Sequence, residues 1–327
     1  MQPCFLEALE PRRLYSTSPI PGNWDLQWSD EFNARPATPT WVTKLWGTTH
    51  FGGELENYTP NNVTASNGIL NLTAKQETSN GFPYTSGLID TGGDFATGGP
   101  NLPGLSFKYG YVEARMKLTK GSGLWPALWM MPTPYANGTY HDGDGEIDIM
   151  EQVGTDPTRT EGHLHHNGAV GRSYDTHQDL SAAFHTYGLD WQPDHLTWYF
   201  DGAPFFTVTA NVPNVPEYLI FNLAVGDANS WPGAPDASTV FPATMQVDYV
   251  RLYQPSTTAI VKPLYTVPDG YVLHGGNPAA APPAANGPTA GPATGRRHRA
   301  VGPYVRGRAP WAAQPLRSGQ QGINDDG

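Results

Sequence analysis

A single cysteine, Cys4, occurs in 327 residues. That count excludes both a disulfide framework and a cysteine-based zinc site. No stretch approaches about 18 consecutive apolar residues, so no membrane-spanning helix is expected. Charge is scarce too: Asp, Glu, Lys and Arg make up 15% of the chain, and their signs are uneven. Met1–Gly22 is neutral and Ser256–Gly327 carries +4, so a total of −11 leaves 15 excess negative charges in the middle. Such a middle lacks the clustered Lys and Arg that a phosphate backbone demands, and nucleic acid is excluded as a partner. The basic "GRRHR" of Gly295–Arg299 reads as part of a solvated tail. Also missing is any sustained apolar period of 3.6 residues with caps, which leaves helices without support.

What the chain has in plenty is Gly (37), Pro (32), Tyr (16) and Trp (10). That mixture suits strands, turns and aromatic platforms. "GILNLTAKQE" (Gly68–Glu77), "YGYVEARMKL" (Tyr109–Leu118) and "HLTWYFDGAPFFTVT" (His195–Thr209) alternate with period two, and "TMQVDYVRLY" (Thr244–Tyr253) closes the series. Asp201-Gly202, between two apolar runs, signals a tight hairpin. Many short strands without helices predict an all-β, two-sheet antiparallel jelly-roll sandwich of concanavalin-like type with disordered termini. Three segments follow: 1–22 as a leader or disordered N-terminus, 23–255 as the jelly-roll domain, and 256–327 as a Pro/Ala/Gly-rich disordered tail. Trp311 and Tyr304 stand too isolated in that tail to build a core.

Chemistry concentrates in "HDGDGEIDIMEQVG", His141–Gly154. On a strand Glu146 and Asp148 share a face, but Glu151 lies an odd step from Glu146 and would point the other way. A β-bulge at Ile149-Met150 restores the facing and bends the ends together. Ile147, Ile149 and Val153 then form the opposite, core-facing row. Two carboxyl groups about 5–5.5 Å apart are what a retaining glycosidase needs, one to attack the anomeric carbon and one to protonate the leaving oxygen. Mutual repulsion among three acids raises at least one pKa, and a raised Glu151 serves as general acid. A solvated acidic edge strand is the plainer alternative, against which the apolar row argues. An EF-hand from Asp142 fails, because its sixth and twelfth positions are Ile147 and Val153.

"GEIDIMEQVG" resembles the active-site strand of glycoside hydrolase family 16, in the bulged form typical of laminarinase-like endo-1,3-β-glucanases. The likeness runs from "LQWSDEFN" (Leu26–Asn33) through "GLWPALWMMP" and "FNLAVGDANSWPG" to "MQVDYVRLYQ" (Met245–Gln254). It implies Glu146 as nucleophile, Asp148 as assisting acid and Glu151 as acid/base, with no cofactor in the chemistry. It implies Trp125 and Trp129 as floors of sugar subsites, His165 near the acid/base, and Asn222 and Glu113 as substrate contacts. It implies a structural calcium held by backbone oxygens and one carboxylate at Glu31, Gly68 and Asp248. His163 and His165 share a face, as a cupin metal pair would, but no Glu follows in "HNGAVGR" and no metal is expected there. The chain departs from the family pattern in "GELENYTP", where Gly53 and Asn57 replace an Asn and a Tyr, and in the Gly-rich insert Asp90–Ser106.

The expected activity is retaining endo-hydrolysis of 1,3-β-glucans by a monomer whose partner is a polysaccharide. A same-fold hydrolase or transglycosylase on mixed-linkage glucan, agarose, carrageenan or xyloglucan, and a non-catalytic glycan-binding module, are the competing expectations. "MQPCFLEALEPRRLYS" is no standard secretory signal, its apolar run being broken by Glu7, Glu10 and Pro11, though it resembles short leaders of exported bacterial proteins. Secretion or a periplasmic location is therefore expected from the substrate alone.

Overall fold

The computed structural model describes residues 20–37, 40–43, 50–92, 104–133 and 145–256. The leader, apart from its last three residues, and the tail beyond Ser256 lie outside these, as does most of the Gly-rich insert. In the first half the strands are β1 (Trp24–Asp30), β2 (Glu56–Tyr58), β3 (Val63–Ser66), β4 (Ile69–Ala74), β5 (Tyr84–Ser86), β6 (Leu88–Asp90), β7 (Gly110–Lys117) and β8 (Leu124–Pro132). There follow β9 (Ile147–Glu151), β10 (Arg159–His165), β11 (Ala169–Asp175), β12 (His185–Trp191), β13 (Leu196–Phe200), β14 (Ala203–Val208), β15 (Glu217–Val225) and β16 (Ala243–Pro255). Among the described residues one 3-10 turn, Pro60–Asn62, stands beside them, and no helix is long and apolar enough to cross a membrane.

Two antiparallel sheets form the sandwich. One runs β14-β13-β12-β7-β16-β4-β3, with β1 also on β16, and the other runs β11-β10-β9-β8-β15-β6. The period-two segments lie where the alternation puts them, and the Asp201-Gly202 hairpin forms with both residues at positive φ (46° and 75°), as a type I′ turn requires. Alternation also sorts the side chains. On β7, Val112, Ala114 and Met116 enter the core; on the facing sheet Leu128, Met130, Leu219, Phe221 and Leu223 meet them. Glu113 is therefore on the outer face of the sheet that lacks the three acids. There it accepts hydrogen bonds from Tyr111 (3.0 Å) and Tyr249 (2.8 Å). The expectation that Glu113 touches sugar is corrected: β7 is not a cleft strand.

The bulge forms as expected. Against β10, Glu151 pairs with Glu161 and Asp148 with His163, so three steps on β9 match two on its neighbour. Against β8, Met150 faces Leu128 while Asp148 faces Trp129, which places the extra residue at Ile149. Ile147, Ile149 and Met150 all enter the core. Val153 does not. It is half-buried beyond the strand, and Met150 takes the place expected for it, because the bulge changes parity before Val153 is reached.

One contact braces this irregularity. Trp198, on β13 of the opposite sheet, is fully buried and donates its indole N–H to the Asp148 carbonyl at 2.8 Å. Gly162 on β10 makes room, since a Cβ there would strike the indole ring. Trp198→Phe should remove that bond across the core and lower stability by about 0.5–1.5 kcal/mol, read as the urea midpoint at unchanged m-value. An unaltered midpoint would show that the carbonyl does not need the indole.

Candidate active site

Glu146, Asp148 and Glu151 emerge on the face of the six-stranded sheet that points away from the sandwich core. Directly across on β10 stand His165, His163 and Glu161 respectively. One oxygen each from Glu146 and Asp148 and one His165 nitrogen lie within 4.8 Å of one another, and Asp148, Glu151 and His163 form a second such group. Asp148 thus lies near both outer acids. Its Oδ2 is 3.2 Å from His165 Nε2. Glu151 is held at both oxygens: Trp125 Nε1 donates to Oε1 at 3.0 Å, and His163 Nδ1 lies 2.8 Å from Oε2.

Burial and the neighbouring Asp148 charge push both Glu146 and Glu151 above the usual carboxylate range. Glu146 is pushed further; His163, bonded to Glu151, pulls the latter back. Burial favours a neutral His163, yet its bonds to Glu151 and Glu161 push it up to about 10. His165 reaches about 9, where contact with Asp148 outweighs burial. Two imidazolium ions therefore stand among the three carboxyl groups of this strand, and burial with crowding favours a proton held on Glu146 or Glu151. Rings so protonated are poor metal ligands, so a metal ion would have to displace these protons.

The other expected residues divide. Trp125 is half-buried beside Glu151 and meets Trp231 edge-on at 5.6 Å, so part of its ring remains open on the outer face of the sheet. Trp129 is only 8% exposed, packed in a second apolar cluster with Tyr58, Leu88, Met131, Tyr218 and Ile220. Its place is beneath the cleft, not on its surface. Asn222 accepts from Trp129 Nε1 (2.8 Å) and donates to Tyr58 (3.0 Å), whose hydroxyl donates to Glu54 (3.2 Å). It is corrected from sugar contact to tie-bar. His165 answers Asp148 and Glu146; the histidine on Glu151 is His163. The sequence carries that signal, since His163 and His165 share a face, but there it is weighed only as a metal pair and set aside.

Glu161, Trp231, Glu54 and Glu56 were not singled out from sequence. Glu54 and Glu56 form a second acid pair on β2 and its approach, both raised by burial, and Glu56 accepts from the Val225 amide at 2.8 Å. Asn57, which replaces an aromatic of the family pattern, points to the other side of β2 and donates to Ser79 (3.0 Å). That departure therefore falls away from Tyr58 and Asn222. Gly53 holds the rim by accepting from the Asp227 amide.

His163 and His165 have folded-state pKa values above the unfolded 6.5. The stability they supply is complete below that pH and is lost as pH rises through about 9 and about 10. Raised acids act in the same direction, since their cost grows above the unfolded carboxylate pKa. The melting temperature should accordingly fall between pH 6.5 and pH 10; a flat or rising curve would contradict the protonated pair.

The family model "Glycosyl hydrolases family 16" matches residues 55–251. Glucan endo-1,3-beta-glucosidase A1 of Niallia circulans is 37% identical over 282 residues, 73% of this chain but 39% of that relative, so this chain spans well under half of it. The beta-glucanase of Rhodothermus marinus is 32% identical over 257 residues, 71% of this chain and 86% of its own length. The crystal structure of endo-beta-1,3-glucanase from Pyrococcus furiosus superposes with a TM-score of 0.62 at 37% identity, covering 71% of this chain and 94% of that one. With the bulged acid strand in place and the match spanning most of the sandwich, the chain belongs to glycosyl hydrolase family 16.

Proposed function

We propose that the chain is a retaining endo-β-glucanase that hydrolyses 1,3-β-linkages, needing no cofactor for the chemistry. The observation that carries this is the return of Glu151 to the face of Glu146 and Asp148, with Asp148 close to both. Glu146, just before β9, attacks the anomeric carbon as the glycosidic C–O bond breaks. Glu151 passes its proton to the departing oxygen. Positive charge developing on the sugar favours an ionised Glu146, which moves the shared proton toward Glu151. In the second half Glu151 takes a proton from water, whose oxygen displaces Glu146 and restores both acids. Asp148, set between them, holds the charge of Glu146 in check while His165 offsets its own.

Linkage preference rests on the names of the similar glucanases. The excess of 15 negative charges in the middle of the chain repels sulfated polymers such as carrageenan and favours neutral glucans. Such substrates lie outside cells, so we place the enzyme there or in the periplasm, acting as a monomer. Glu146→Ala and Glu151→Ala should each lower turnover of laminarin by about 10²–10⁴-fold or more. Azide should partly rescue the first variant by supplying the missing nucleophile. Reducing-end assays on laminarin, lichenan, agarose and xyloglucan test the substrate. Release from none identifies a binding module, and release from agarose or xyloglucan alone displaces the glucan assignment.

A structural calcium belongs to the same reading. On β16 the ladder to β7 skips Asp248, taking its backbone out of register beside the Asn67-Gly68 turn. The Glu31 carboxylate is forked onto Arg251 (2.8 and 3.0 Å) and Asp248 Oδ2 accepts from Arg115 (2.8 Å). The donor set that fits a hard cation is thus the carbonyls of Glu31 and Gly68 with the backbone and carboxylate of Asp248. The ion would pin β1 and the β3–β4 turn to β16, far from the acids. Chelation should lower the melting temperature, calcium should restore it, and Asp248→Ala should abolish the difference. Identical melting with and without chelator removes the site.

A further inference from the structure

We propose that Glu161 and His163 form a positioning relay that orients Glu151 and sets the pH at which it gives up its proton. This rests on the reading of Glu151 as acid/base and deepens it.

The β9–β10 ladder sets Glu161 directly across from Glu151 and His163 across from Asp148. Like charges directly opposite on neighbouring strands repel. Here an imidazole intervenes. His163 Nδ1 is 2.8 Å from Glu151 Oε2, and Nε2 is 3.4 Å from Glu161 Oε2. Once Glu151 is ionised, a neutral imidazole would aim a lone pair at one of the two carboxylates, whereas the imidazolium presents an N–H to each. The ring has little freedom to leave this position. Across from it on β11 stands Gly171, where a Cβ would collide with the ring's Cδ2. Trp231 meets the ring edge-on, 6.3 Å away at 84°, and meets Trp125 in the same manner. Trp125 in turn donates to the other oxygen of Glu151. The acid/base is therefore gripped from both sides by groups that brace one another.

The titratable groups acting on His163 are Glu151, Asp148 and Glu146 from β9 and its approach, with Glu161 and His165 from β10; β11 offers Gly171, and Trp125 and Trp231 add no charge. These carboxyl groups outnumber the one neighbouring cation, His165, whose ring centre lies 5.9 Å away. Glu161 is the anion that the chemistry does not otherwise use. It holds the ring charged and turned so that Nδ1 meets Glu151. Burial and Asp148 drive Glu151 toward keeping its proton, and the imidazolium offsets them, stabilising the carboxylate left once the glycosidic oxygen has been protonated.

The test is the pH dependence of kcat/KM on laminarin together with the ring's own titration. His163→Gln keeps a hydrogen-bonding amide but no charge, and should move the basic limb up by about one pH unit or more, the effect of losing an opposite charge at this range. His163→Lys should bring it partway back. Glu161→Gln should lower the pH at which the imidazole titrates, followed by nitrogen NMR of the ring. In the unaltered protein that ring should still be doubly protonated at pH 8. Titration near the ordinary value of about 6.5, or an unmoved basic limb in folded His163→Gln, overturns the relay. Should His163→Gln fail to fold, the ring titrations of the unaltered protein and of Glu161→Gln decide alone. They need no turnover, so they stay informative even if an active Glu151→Ala removes the acid/base reading.

Discussion

The bulge that turns Glu151 onto the face of Glu146 and Asp148 is the constraint on which the rest of the site depends. Where β9 carries one residue more than its neighbours, the ladder loses step, and a buried irregularity needs partners for its backbone groups. Trp198 supplies one from the opposite sheet, its indole N–H on the Asp148 carbonyl, through the gap left by Gly162. The bulge is thereby fixed in three dimensions as well as in register. The consequence appears on the other face, where Glu151 joins Glu146 and Asp148 while Ile149 and Met150 both enter the core. A local departure from regularity in the sheet and the proton chemistry of the cleft are one event seen from two sides.

Electrostatics then divides the labour. Three buried carboxyl groups packed this closely ionise together only at a cost, which two facing histidines offset in part. The proton that is retained belongs to the outer pair, Glu146 and Glu151, as a joint property. Environment separates them: Glu151 is bonded to a histidine and an indole, whereas Glu146 lies just before β9, across from His165. On the proposed mechanism, acid and nucleophile are distinguished by what surrounds them rather than by residue type.

Much of this was legible in the sequence, and the gaps follow a pattern. Period-two alternation and Asp201-Gly202 placed strands and a hairpin, and the odd spacing of Glu146 and Glu151 required a bulge, because those signals are local. What local signals cannot carry is which sheet a strand joins. Glu113 alternates as a cleft residue would, yet β7 lies in the other sheet, and tyrosines cover it. Trp129 and Asn222 are on the right face of the right sheet, but β2 folds over them, a contact between segments far apart in the chain. His163 was visible as half of a pair and needed the carboxylates of two strands before its partners could be named. Val153 yielded its place to Met150 because parity after a bulge depends on where the extra residue sits.

The six-stranded sheet is covered unequally. Along β8 and β15 its outer face is roofed by the second apolar cluster, so that half of the sheet is enclosed above and below. Along β10 and β11 the same face is only half-buried or exposed. The three acids lie on the border between the two halves. On one flank the medium is dry enough to bend proton affinities; on the other the surface is open. On the proposed reading that open ground is where a glucan would lie: a sheet roofed along its whole width would bar it, and one left bare would admit it without the means to cut it.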